Sequence, residues 1–264
     1  MINIYKVLIR NELLIELQYP FALLIWMTEK VLEPIIYLAV WTSVAASQGG
    51  EVNGLSATDF AAYYIALLLV GHLTQNWHVW TIEWFVTTGE FSKYLVRPIH
   101  PIHDSITNDW IFKGLMMVIV VPTMFLLSWL FAPNLQFQFT NVLLFIPTIC
   151  LAGALGFIGG WIVGLSSFWT IRNSTLIQMY FLMVLFFSGR IAPLELLPPF
   201  MQQVAYLLPF RWFVSFPIEV LLGWIPTEQV IIGMGIQLAW VVSLTMVATV
   251  VWKLSLRRYG AVGG

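Results

Sequence analysis

Six apolar stretches, separated by short polar links, restrict this chain to one kind of fold. A bilayer hydrocarbon core about 30 Å thick takes roughly 20 apolar residues as a helix. Stretches of that order run from Phe21 to Ala46, Phe60 to Trp80, Ile111 to Phe131, Val142 to Ser166 and Val230 to Trp252. A shorter one covers Thr175 to Gly189, and its start is expected nearer Trp169. Lipid offers no water to unpaired backbone groups, so each stretch is expected as a helix. Composition agrees: the chain is 59% hydrophobic and only 9% charged, against about 25% charged in a soluble domain. The expected fold is an all-α membrane protein of six transmembrane helices forming a single domain over residues 1–264. Spans one to five fill 20–189, an apolar hairpin 190–228, the sixth span 229–253 and a tail 254–264.

The first 19 residues read as an amphipathic helix in the membrane interface. Ile4, Val7, Leu8, Leu14, Ile15 and Leu17 suit lipid, while Lys6, Arg10, Glu12 and Glu16 suit water. No compact apolar core with a small-residue cleavage site follows, so the segment is not read as a signal peptide. Cys150, the sole cysteine, sits in an apolar run. It reads as a small buried side chain, with no disulfide framework. The net charge of -1 gives no support to a nucleic-acid partner.

Basic residues alternate between the links. Lys6 and Arg10 precede the first span, Lys93 and Arg97 follow the second, Arg172 precedes the fifth, and Lys253, Arg257 and Arg258 follow the sixth. The links 47–59 and 132–140 carry none. By the positive-inside rule both termini are expected in the cytoplasm, with the link after the second span. Arg190 and Arg211 break the pattern.

That second link contains EFSKYLVRPIHPIHDS, residues 90–105. Its charged and polar residues (Glu90, Lys93, Arg97, His100, His103, Asp104) alternate with Phe91, Tyr94, Leu95, Ile99 and Ile102, which would serve as apolar anchors for a soluble partner. Pro98 and Pro101 interrupt any helix. Short helical turns are expected over Glu90–Tyr94 and His103–Asn108. Docking to a soluble partner and an ordinary solvated loop both fit. Metal binding by His100 and His103 lacks an adjacent third ligand.

Charged and polar residues inside spans are costly and mark either internal pairing or a substrate path. Glu29, Lys30 and Glu33 in the first span, with His72 and Asn76 in the second, are open to both readings; Lys30 and Glu33 have the spacing to pair. In the fourth span Ala152, Gly156, Gly160 and Gly164 recur every four residues, a stripe that lets another helix approach closely. Residues 188–223 are too apolar for a solvated loop and carry five prolines. A pair of short helices re-entering the outer leaflet fits both facts, with Arg190, Glu195, Arg211 and Glu219 available to pair there.

No nucleotide-cradling G-x-x-x-x-G-K-[ST] occurs, nor H-E-x-x-H or G-x-S-x-G. The chain is therefore not expected to be an enzyme by itself. Three segments resemble a branch of the type-2 ABC exporter permeases: Phe186 to Pro199 (FFSGRIAPLELLPP), Leu208 to Gly223 (LPFRWFVSFPIEVLLG) and Leu256 to Gly264 (LRRYGAVGG), with YLVRPIHP at Tyr94 to Pro101. The resemblance spans essentially the whole chain. It implies two permease subunits, identical or homologous, on two ATP-binding subunits that hold ATP and Mg; this chain itself would need no cofactor. It implies that the loop 90–104 supplies a coupling helix, that the hairpin from about Ile191 to Leu222 caps the outer end of the pathway, that the helix from about Ile4 to Leu17 is an interfacial elbow, and that the complex sits in a bacterial inner membrane. A self-sufficient channel or secondary transporter, and a lipid-acting membrane enzyme using its histidines, are the competing classes.

Overall fold

The computed structural model describes residues 2–18, 20–135, 138–170 and 173–259. Arg172 and the end of the Leu256–Gly264 stretch lie outside them. The first helix, α1 (Ile2–Gln18), leads into α2 (Pro20–Ser47). A two-residue antiparallel ribbon, β1 (Glu51–Val52) with β2 (Leu55–Ser56), turns the chain back. Its turn is Asn53–Gly54, both at positive φ (52° and 82°), as a tight hairpin turn of that twist requires. Ser56 then caps α3 (Ala57–Thr74) through a reciprocal box with Asp59, satisfying two otherwise unpaired backbone donors.

The expected second span is two helices, not one. After α3 the chain leaves helical geometry at Gln75–Trp77 and resumes as α4 (His78–Thr87). A short turn, α5 (Ser92–Leu95), precedes α6 (Ile102–Phe131). His103–Asn108, expected as an isolated turn, is the first part of that long helix. There follow α7 (Phe139–Leu165), α8 (Ser174–Phe187), α9 (Pro199–Leu207), α10 (Ser215–Leu222) and α11 (Thr227–Arg258). The segment expected as a tail from 254 is thus helical to Arg258.

Among the described residues, four stretches are long and apolar enough to cross a membrane: Ala57–Thr87, α6, Phe139–Phe168 and α11. Val31–Ser47 and α8 are shorter apolar helices. Burial separates them. In the most apolar part of Ala57–Thr87, 72% of residues are buried inside the chain, against 17% in α6 and α11. Every residue from Phe60 to Leu68 is buried. A helix apolar all round belongs at the centre of a bundle, and α3 occupies it, flanked by α2, α6, α7 and α10. α6 and α11 present Trp110, Val118, Phe125, Trp129, Ile232 and Met246 outward, the surface that lipid covers.

Candidate functional site

Three features converge on α3 and α4: the helix break, the apolar hairpin and the loop after α4. At the break, the stripe of α7 is the complementary surface. Ala152 is fully buried. A Cβ on Gly156 would collide with the Thr74 carbonyl oxygen and come 3.1 Å from Asn76 Nδ2. On Gly160 it would lie 3.2 Å from His78 Nε2, and on Gly164, 2.8 Å from Ile82 Cδ1. The stripe therefore packs against α3 and α4 of the same chain. The break needs it, because a helix interrupted in an apolar interior exposes backbone groups that must be met at close range. Asn76 Nδ2 donates to the Thr74 carbonyl (2.7 Å), while its Oδ1 accepts from Lys113 Nζ (3.0 Å). Lys113 also pairs with Asp109 at 2.7 Å, and its carbonyl accepts from His72 Nε2 at 2.9 Å. Asp109 and Lys113 were not singled out from sequence, although their i,i+4 spacing on one helix is the signal of such a pair.

The hairpin begins beside Tyr63 and Tyr64 of α3, and only its Arg190 side chain extends to the break. Gly189 has φ 89°, and a side chain there would strike the Tyr63 hydroxyl and Ser215. The Tyr63 hydroxyl donates to the Gly189 carbonyl at 2.7 Å. The Ile191 carbonyl accepts from Tyr64 (2.6 Å) and from the Trp41 indole (2.7 Å). Arg190 does not pair within the hairpin. It reaches Glu33 of α2 and Gln75 of the break, both at 3.2 Å. Glu33 is thus held by Arg190; the side chains of Glu29 and Lys30 lie outside those described. The hairpin's own ion pair is Arg211–Glu219 at 2.7 Å, with both groups buried, Ser215 hydrogen-bonded to Glu219, and the Arg211 guanidinium 3.7 Å from the Tyr206 ring centroid. Glu195 is exposed; its carbonyl accepts from Asn53 and Gln202. All eight residues of α10 are buried. Gln237 of α11 donates to the carbonyls of Trp212 (2.6 Å) and Thr148 (3.2 Å), so the hairpin is built into the bundle.

The loop divides into a clamped base and an open tip. Phe91 is 2% exposed. It packs against Phe168, Trp252 and Tyr259, with ring centroids 5.0–6.1 Å away. The Tyr259 hydroxyl donates to the Gly89 carbonyl at 3.0 Å. Phe91, read from sequence as an anchor for a partner, therefore serves the interior. Val96 at the tip is 85% exposed. Lys93 pairs with Glu90 at the surface (2.9 Å) and Arg97 with Asp104 of α6 (3.2 Å), contributions of about 0–1 kcal/mol each. Arg97 also lies 4.9 Å from the Tyr94 ring centroid. Pro98 is in the open segment, and Pro101 precedes the first turn of α6.

The histidines of the loop are both engaged. His100 Nδ1 accepts from the Ile102 backbone N–H at 3.1 Å, satisfying a donor that the helix start leaves unpaired. His103 Nδ1 shares a 2.6 Å hydrogen bond with the Tyr5 hydroxyl of α1. Burial, with His103 nearby, holds the His100 pKa below its ordinary value. Burial likewise raises Glu12 of α1, which accepts from Asn108 at 3.0 Å. Among the described residues no three His, Cys, Asp or Glu side chains are grouped to hold a metal ion.

Two cavities flank α6. One of about 410 Å³ lies beside the break, lined among others by Glu16, Trp26, His72, Gln75, Trp77 and Lys113. The other, about 1080 Å³, separates α6 from α7 and α11. Cys150 lines it and is exposed, correcting the reading of a buried cysteine. Residues 32–263 match a family model described as ABC-2 family transporter protein. No curated protein matches the chain.

Proposed function

The chain belongs to the ABC-2 family of transporter proteins, and from that premise we propose that it is the membrane subunit of an ATP-driven exporter. Its place in transport is that of a permease component in a multi-pass membrane protein. Six spans, α2, α3 with α4, α6, α7, α8 and α11, would leave both termini in the cytoplasm of a bacterial cell, on the same side as the loop. Two such subunits, identical or homologous, would enclose the pathway. Two soluble subunits would bind ATP and Mg and dock on the loops. Glu29, Lys30, Glu33, His72 and Asn76 would line or support the pathway, a role favoured by the cavity that reaches His72 beside the break. The hairpin from Arg190 would close its outer end.

The observation that carries this reading is the division of the loop. Val96 projects into solvent at its tip, while Phe91 is wedged among the ends of α4, α7 and α11. A force applied at the tip is delivered to three transmembrane elements at once. Work would then come from ATP favouring one of two conformations of the assembly.

The test is co-purification of the tagged chain from native membranes in mild detergent, comparing wild type with a Val96→Asp, Lys93→Glu variant. The wild type is expected to bring down a soluble subunit bearing a nucleotide-binding loop in stoichiometric amount. The variant, equally folded, is expected to lose most of it. Equal recovery of that subunit with both chains would remove the docking role of the tip, and recovery of no such subunit with either would remove the exporter reading.

A further inference from the structure

The larger cavity adjoins the loop at His100 and His103 and the break at Lys113, but neither accounts for its apolar length. It is a lateral groove of about 1080 Å³ between α6, α7 and α11, larger than the roughly 300–1,000 Å³ typical of small-molecule sites. Its walls are mainly apolar side chains and small residues, including Met117, Phe157 and Gly153, with the paired Asp109 and Lys113 on the α6 side. Along α7 it extends from Ile149 to Trp161, about 18 Å at 1.5 Å per residue. That is close to half of a bilayer core of about 30 Å, the depth of one leaflet.

One end of the groove is polar and the other is not. His100, His103 and Trp252 meet at the loop end. One turn beyond Thr249 on the α11 wall stands Lys253, and one turn further Arg257, both exposed. No carboxylate forms an ion pair with either among the described residues. Asp104 is paired with Arg97, and Asp109 on the groove wall is paired with Lys113. By helical spacing from Thr249, these two residues continue the groove-lining face of α11, so unpaired positive charge stands beyond the loop end of a mainly apolar trough of one-leaflet depth. Basic pockets between spans at the cytoplasmic surface bind anionic headgroups.

We propose that this groove is a binding site for an anionic phospholipid of the leaflet on the loop side, its acyl chains between α6, α7 and α11 and its phosphate at Lys253 and Arg257. The lipid is a resident of the subunit, and its binding does not depend on ATP coupling.

Cys150 provides the probe, since it is the sole cysteine and lines the groove. The full chain would be reconstituted in bilayers of phosphatidylcholine alone or mixed with phosphatidylglycerol, and its reaction with a maleimide followed. Lipids retained after purification in detergent would be counted by native mass spectrometry. Phosphatidylglycerol is expected to slow labelling of Cys150 and to remain bound, whereas phosphatidylcholine does neither. Lys253→Gln with Arg257→Gln should weaken retention about thirtyfold, equivalent to about 1 kcal/mol per basic residue. Gly114→Trp, at a position whose added side chain meets open space, should fill the groove and abolish retention. Equal labelling in both bilayers with no retained lipid, or retention unchanged in both variants, would overturn the proposal. So would a Cys150–Cys150 disulfide between two chains under oxidation, because a second copy would then occupy the groove.

Discussion

Replacing Gly156 by alanine tests the central packing of the bundle with a single methyl group. In an unstrained helix interior the change stabilises by about 0.4–1 kcal/mol, through a less flexible unfolded chain. Here the methyl would occupy space held by the Thr74 carbonyl oxygen. That oxygen is backbone, and its position is fixed by the Asn76 side chain that donates to it. Neither group can rotate away, so α7 must move outward from the break. Overpacking of this kind costs typically about 1–3 kcal/mol. Gly153 is the internal control, since its Cβ would meet only the Leu73 carbonyl at 3.6 Å, an ordinary contact. Gly164→Ala should fall between them: the end of the Ile82 side chain can give way, but Ile82 Cβ at 3.2 Å and Val79 Cα at 3.3 Å leave less room than at Gly153. With about 2–4 °C per kcal/mol for a chain of this size, Gly156→Ala should melt about 4–8 °C below Gly153→Ala for a difference near 2 kcal/mol. Tryptophan fluorescence of the detergent-solubilised chain, heated at one fixed rate, measures it. Equal melting of the two variants would refute the packing of α7 against the break.

Two further outcomes follow from buried charge and from the loop. Arg211→Met alone should destabilise by about 3–5 kcal/mol, since it strands the Glu219 carboxylate, whereas Arg211→Met with Glu219→Leu should recover most of that loss; denaturant titration of the single and double variants separates them. His100 has a folded pKa below its ordinary 6.5, so below pH 6.5 the unfolded chain binds a proton that the folded chain resists. Its contribution is therefore present above that pH and lost as pH falls through the window beneath it; protonation also removes the Nδ1 acceptor at the start of α6. His100→Asn should flatten the decline in melting temperature between pH 6.5 and 5, and an unchanged slope would count against this account.

Hydropathy revealed the long helices because lipid imposes one rule on every residue they contain. It could not reveal the break at Gln75–Trp77, where no proline or glycine marks the interruption. The signal there was subtler: adjacent Gln75 and Asn76 within an apolar run, with a glycine stripe elsewhere cut to receive them. The stripe announced a close approach but not its partner, since spacing alone does not distinguish a neighbour in the same chain from another subunit. Phe91 looked like an anchor for a partner because its neighbours are polar; the ring is instead claimed by Phe168, Trp252 and Tyr259, residues 77 to 168 positions away. Arg190 looked paired within the hairpin because Glu195 and Glu219 lie in the same segment, while Glu33 lies 157 positions before it. Contacts at such separations leave no local pattern.

The two ends of α4 acquire a mechanical meaning when taken together. Ten residues long, it is a strut of about 15 Å. One end runs into the turn that seats Phe91; the other adjoins the hinge at Gln75, where Arg190 grips from the hairpin. A stiff rod with a socket at one end and a hinge at the other transmits displacement rather than absorbing it. The seat of Phe91 and the grip of Arg190 on Gln75 thus lie at the two ends of one rigid element.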